Sequence, residues 1–297
     1  GIHLKDAKFV ELRHLKISGA RTNGLNIDDG GSFESPVEGL KLSGLVVVDV
    51  GDEGNEDGIK LSGLRGFRIE NCRVENWGKS GSGIDMVGCH EGVIVGCEFR
   101  HEPGLASGSG IQAKGGSEKI AIRRCRFEHA GSRGVNLGGS TGLPYFRPLD
   151  ARHEAADLIV EDCEFTGSMA AVVFDAVERG VVCHNTIREP GRWATRILQG
   201  NTDARFSLCR EGRFENNLVV FRSDQLNRSV NVGSNTEPET FRFANNVWFC
   251  VDQAAETRKL VARDFPVEVS GESFPAQLDV ALPKSERPFP LHSAGAR

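Results

Sequence analysis

Lysine, aspartate and amide side chains recur along this 297-residue chain at intervals that can bring them to one place. Lys114, in Gly110-Ile-Gln-Ala-Lys-Gly-Gly-Ser117, is the sharpest candidate. A lysine can take a proton as a general base when its amine is free and close to the reacting carbon. Asp85 and Asp57 suggest a second chemistry, because glycoside hydrolysis needs two carboxyl groups at a set separation. Asp28, Asp29 and Asp175 are further carboxylates that could join such a pair. Arg192-Trp193-Ala-Thr-Arg196 places an aromatic ring between two cations. Arginine pairs with carboxylates in a planar fork, and sugars stack on tryptophan. Asp49, Asp52, Glu53, Glu56 and Asp57 form an acidic cluster that could supply oxygen ligands to Ca²⁺, although EF-hand spacing is absent. A solvated acidic turn is the alternative. The histidines are scattered, and only His153 lies where an acid or base is worth testing.

The elements that must position these residues follow from a repeat. Gly58-Ile59, Gly83-Ile84, Gly110-Ile111 and Gly134-Val135 open the same phrase at spacings of 25, 27 and 24 residues. A second phrase follows each: Gly66-Phe-Arg-Ile-Glu-Asn-Cys72, Gly92-Val-Ile-Val-Gly-Cys97, Lys119-Ile-Ala-Ile-Arg-Arg-Cys125 and Asp157-Leu-Ile-Val-Glu-Asp-Cys163. A period in this range marks a solenoid. Short alternating apolar runs broken by glycine and asparagine predict strands. About nine coils fit within residues 1–251, with first strands near Leu25, Ile59, Ile84, Ile111, Val135, Val172, Thr195 and Val230. Residues 252–297 lose the period and are expected to cover the C-terminal end, shielding an open strand edge.

Strand alternation sends every second side chain outward. One outward column then reads Asn26, Lys60, Asp85, Gln112, Asn136, Val173, Arg196, Asn231. The next reads Asp28, Ser62, Val87, Lys114, Gly138, Asp175, Leu198, Gly233. Three inserts break the period, at 28–36, 140–156 and 201–211. The middle one carries the chain's single tyrosine, Tyr145, with Arg147 and His153, and is placed to wall a groove beside these columns. Cys72, Cys97, Cys125 and Cys163 share one repeat position, so they read as an inward ladder rather than disulfides or a metal site. Asn185, Asn217 and Asn246 continue that position as an amide ladder.

A net charge of −5 argues against bulk binding of nucleic acid or anionic membranes. No apolar run reaches the roughly 20 residues that span a bilayer. No signal-peptide pattern is visible within the sequence.

The pattern Gly-Ile-x-apolar, turn, Ile-x-Ile-x-x-Cys/Asn-x-Phe over residues 8–250 resembles the right-handed parallel β-helix of the pectate-lyase-like superfamily. That resemblance implies an all-β solenoid and action on, or binding to, an acidic or complex polysaccharide. It also implies an extracellular or periplasmic location. Lys114 is placed like the base lysine of alginate lyase and chondroitinase B type enzymes. In those, an arginine on the next coil assists the leaving oxygen and Ca²⁺ masks the uronate carboxylate. Here the matching position is Gly138, so Arg133, Arg192 or Arg196 would have to act. Asn55-Glu-Asp-Gly58 resembles part of the polygalacturonase signature, but Ser82-Gly83 and Ser109-Gly110 stand where its further residues belong. The expected site is therefore Lys114, Arg133, Tyr145 and Asp85 as catalytic groups. Lys60, Gln112, Asn136, Arg147, His153, Asp175, Arg192, Trp193 and Arg196 are expected to bind substrate. A polysaccharide lyase is favoured, with a hydrolase or a non-catalytic carbohydrate-binding protein as alternatives.

Overall fold

A computed structural model describes residues 1–53, 56–103, 108–226 and 228–261. Its strands form three parallel sheets, and each coil contributes one strand to each sheet in turn. The first sheet, here sheet A, stacks nine strands from Ile2–Lys5 to Arg228–Val232. Sheets B and C follow it in every coil, at Arg68–Glu70 and Arg73–Glu75 for example.

The register in sheet A is set by its inward apolar residues. Leu25, Ile59, Ile84, Ile111, Val135, Val172, Thr195 and Val230 stand over one another from coil to coil. All eight are buried. The outward column from Asn26 to Asn231 pairs in the order read from the sequence. A slip of one residue would exchange the core and solvent faces, so burial of these β-branched and leucine side chains fixes the register.

The core repeats itself along the axis. Phe99, Phe127 and Phe165 stack with ring centroids 5.0 and 4.6 Å apart. Such parallel offset packing adds to the area that each ring buries. The four cysteines form the expected ladder, with all eight cysteines of the chain reduced and buried. The backbone N–H of Cys72 donates to Cys97 Sγ, and that of Cys125 to Cys163 Sγ, both at 3.4 Å. Asparagine takes over the same column: Cys163 N donates to Asn185 Oδ1 at 2.9 Å, and Asn185 N to Asn217 Oδ1 at 3.0 Å. The side-chain amides of Asn185, Asn217 and Asn246 also bond up the stack. A ladder of this kind satisfies buried donors that the bend between sheets B and C would leave unpaired.

All three inserts leave from the ends of sheet A strands, namely Leu25–Asp28, Arg133–Gly138 and Trp193–Leu198. They therefore share one corner of the solenoid. Beyond the last strand, Val247–Cys250, a short helix spans Thr257–Val261. It is held by Cys250 N donating to Thr257 Oγ1 at 3.1 Å and Ser229 Oγ donating to Val261 O at 2.9 Å. Most of the expected C-terminal extension, residues 262–297, lies outside the described residues.

Candidate functional site

The inserts build a wall along the edge where the sheet A strands end. The Arg147 guanidinium, from the middle insert, reaches back to Asp29 in the first insert. Its path crosses the turns at Gly63 and Gly88, both at positive φ. A Cβ at Gly88 would stand 2.5 Å from Arg147 Cβ, and one at Gly63 would stand 2.0 Å from Asp29 Oδ2. These two glycines therefore serve both the turn and the close approach of the wall. Towards the C-terminus, Phe146 packs on Phe206 of the third insert, with centroids 5.1 Å apart. Arg205 lies over both rings and donates to Leu149 O at 2.8 Å.

Glu154 ties the wall to sheet A, and its side chain is fully buried. It accepts from Gly115 N at 2.8 Å, Thr141 N and Thr141 Oγ1 at 2.7 Å each, and Asn201 Nδ2 at 2.7 Å. The turn after Lys114, the middle insert and the third insert thus meet on one carboxylate.

At the foot of this wall the outward columns carry two charged groups of side chains. In the first, Lys60 bonds to Asp85 on the next coil and lies 3.7 Å from Asp57 Oδ2. Lys114 approaches the other Asp85 oxygen, with Nζ 3.5 Å from Oδ1. Burial pushes the Asp57 carboxyl up to about 6, reinforced by Asp85 and opposed by Lys60 and the Ser82 N–H. Burial disfavours the Lys60 ammonium, yet Asp85 and Asp57 outweigh it and raise its pKa. Beside them Gln112 Nε2 and Asn136 Nδ2 both donate to Gly138 O, at 3.4 and 3.2 Å. Asn136 Oδ1, Ser109 Oγ and Arg133 Nε are buried without a hydrogen-bond partner. Buried polar atoms are nearly always paired, so a run of orphans on adjoining coils marks a place built for something else.

The second group lies further along. Arg192 and Arg196 both sit over the Trp193 ring, at 4.7 and 4.2 Å from its centroid. Arg196 Nε donates to Asn231 Oδ1 at 2.9 Å. Burial, together with Arg133 and Arg192, lowers the Arg196 pKa, and nearby Asp175 only partly offsets this. Asp175 is itself raised by burial and accepts from Gly200 N at 2.6 Å.

Two expected residues, Arg147 and His153, make other contacts. Arg147, read as a substrate contact, is buried in its fork with Asp29 and also donates to Tyr145 O at 2.9 Å. Its charge is already matched, so it anchors the wall. His153 Nε2 lies 2.9 Å from Glu118 Oε1, on the sheet B strand Ser117–Arg123 rather than on the sheet A face. Tyr145 ends a short 3-10 turn on the wall and is 63% exposed. The acidic cluster does not converge. Asp49 accepts from Asn76, Glu53 pairs with Arg21, Glu56 accepts from Ser80, and Asp57 accepts from Ser82. Among the described residues no three His, Cys, Asp or Glu side chains are grouped to hold a metal ion, so these residues do not fit Ca²⁺. Sequence reading missed Glu154 because it lies in an aperiodic insert; the only hint is one acid beside the small pair Ala155-Ala156.

No curated protein matches the chain. Among solved structures, a double mutant of the tailspike protein of E. coli bacteriophage HK620 is similar with a TM-score of 0.54 at 13% identity. The match covers 81% of this chain and 44% of that one. An alginate lyase from Paenibacillus sp. str. FPU-7 is similar with a TM-score of 0.45 at 15% identity, covering 78% of this chain and 93% of that one. Pectate lyase Pel9A gives a TM-score of 0.47 at 12% identity, covering 78% and 62%. At 13% identity the likeness to the tailspike protein is one of fold alone. A family model described as the right handed beta helix region matches residues 1–141 and 39–210, so this chain belongs to the right-handed β-helix family.

Proposed function

We propose that this protein is an extracellular or periplasmic polysaccharide-active enzyme that cleaves a uronic-acid-containing chain by β-elimination on sheet A. The observation that carries the reading is the set of charged and orphaned groups on consecutive coils at the foot of the wall: Lys114, Asp85, Gln112, Asn136 and Arg133. Lys114 is the base. Its Nζ has one carboxylate oxygen nearby at 3.5 Å, whereas Lys60 is held by two aspartates. As the free amine it takes the proton α to the uronate carboxylate. The electron pair forms the new C4–C5 double bond and the C4–O4 bond breaks. Arg133 and the Gln112 and Asn136 amides face the carboxylate, where matched charge and preformed donors stabilise the developing enolate. Tyr145, on the wall, donates the proton to the leaving oxygen.

The experiment is incubation with a panel of polyuronates and neutral glycans, following absorbance near about 235 nm, where the unsaturated uronate product absorbs, together with reducing ends. The reading expects a rise in absorbance that Lys114→Ala abolishes. Full activity in Lys114→Ala would remove the lysine from its role.

A hydrolase is the second reading, favoured by Asp57. A carboxyl pushed up to about 6 next to Asp85 suits a general acid beside a second carboxylate. New reducing ends without the absorbance rise would select it, and Asp57→Asn and Asp85→Asn should then be inactive.

A further inference from the structure

The two charged groups on sheet A differ in balance. At the Lys114 end, Lys60 and Lys114 face Asp57 and Asp85. At the other end, Arg192 and Arg196 meet over the Trp193 ring, and neither forms an ion pair among the described residues. The one buried carboxylate close to them, Asp175, is turned to the Gly200 N–H. Arg133, Ala170 and Trp193 share one register column, so only a small side chain stands between Arg133 and the ring that Arg192 and Arg196 cover. Gathering like charges at a partly buried place costs free energy, and an anion placed among them returns it. The Trp193 ring is covered by guanidinium groups, which removes it as a bare stacking platform for a sugar.

We infer that Arg192 and Arg196 form an anchoring subsite for an anionic substituent, a carboxylate or a sulfate ester, of a bound glycan chain. Guanidinium groups are suited to both, through paired N–H donors. The strand of Arg196 is three steps from that of Lys114, about 14 Å at the spacing of stacked strands. The anchor therefore grips the chain some sugar units away from the bond placed at Lys114. The inference rests on the polysaccharide reading above, but concerns binding rather than turnover. The excess of cations here, on a chain of net charge −5, also means that attraction to the anionic chain is local to this face.

The test is calorimetric titration with oligogalacturonate, which carries carboxylates only, dextran sulfate, which carries sulfates only, and neutral dextran. The wild-type protein should bind at least one charged chain and not dextran, and the charged chain that binds names the substituent. Arg192→Gln/Arg196→Gln should weaken that binding at least ten-fold and make it less sensitive to salt. Arg192→Gln alone, at an exposed position, is the second variant should the double one fold poorly. Trp77 and Trp248 are buried, so a ligand-induced change in tryptophan emission should come from Trp193 and be lost in Trp193→Phe. Lys114→Ala should lose turnover and keep the charged chain bound, which separates failure of the anchor from failure of the reaction. Undiminished binding by the arginine variants, no binding of either charged chain, or equal binding of dextran would overturn the inference.

Discussion

Arg147 holds Asp29 in a fork, Nε to Oδ2 at 2.5 Å and Nη2 to Oδ1 at 2.9 Å, across 118 residues of sequence. The pair joins two inserts that leave the solenoid four coils apart, and both side chains are buried. The Arg147 guanidinium also covers the Phe33 ring at 4.2 Å. Removing one partner leaves a buried charge without its counterpart, which costs about 3–5 kcal/mol. Arg147→Ala and Asp29→Ala should each lower the unfolding free energy by roughly that much, measured by urea denaturation. The double variant should lose far less than the sum. Additive losses would mean that the fork is not what binds the inserts.

Asp57 makes stability depend on pH in a defined direction. Its folded pKa, about 6, lies above the ordinary aspartate value because burial penalises the charged form. The folded state therefore binds more protons than the unfolded state between about pH 4 and pH 6. With that sign, stability falls as pH rises through this window and stays lower above it. Asp57→Asn removes the titration while keeping an oxygen for the Ser82 N–H. The difference in unfolding free energy between the two proteins should shift in favour of the variant by on the order of 2 kcal/mol between pH 4 and pH 7. Parallel curves would show that Asp57 titrates normally.

The cysteine column should be chemically silent. Cys97 is pushed up to about 12 by its hydrogen bond with Cys125 and by burial, and Cys89 to about 12 by burial. Cys72 and Cys125 move the same way, each chiefly through its hydrogen bond to the next cysteine of the ladder. Thiol reagents attack the thiolate, which is neither formed nor reachable here. Native protein at pH 8 should therefore react slowly or not at all, and all eight thiols should titrate once it is unfolded. Rapid labelling of several thiols in the folded protein would contradict the ladder.

The periodic part of this architecture was legible in the residues. Ile59, Ile84, Ile111 and Val135 recur because each coil must bury one β-branched side chain at that level, and the outward column follows from alternation. Period and alternation alone therefore put Lys60, Asp85, Gln112 and Asn136 side by side. The wall was not legible. Asp29 and Arg147 lie in inserts without period, and only the folded chain brings them together. For the same reason a buried anchor, Arg147, reads in sequence as an available cation, and His153 reads as a groove residue although it faces Glu118.

Glu154 gives the sharpest test of whether the wall positions Lys114. Every partner of its carboxylate is a donor: the N–H groups of Gly115 and Thr141, the Thr141 hydroxyl and the Asn201 amide. Glu154→Gln keeps the shape but turns one oxygen into a donor that faces donors. The Thr141 hydroxyl can turn to accept from the new amide, but the Gly115 N–H then loses its acceptor in a buried place, at about 1–3 kcal/mol. The variant should be destabilised by about that much, more than a typical glutamate-to-glutamine change at the surface. The turn at Gly115 should loosen, and with it the position of Lys114 one residue earlier. Hydrogen exchange at the Gly115 and Thr141 amides should therefore rise ahead of exchange in the core of sheet A. Unchanged protection at both amides would show that the backbone holds the wall without Glu154.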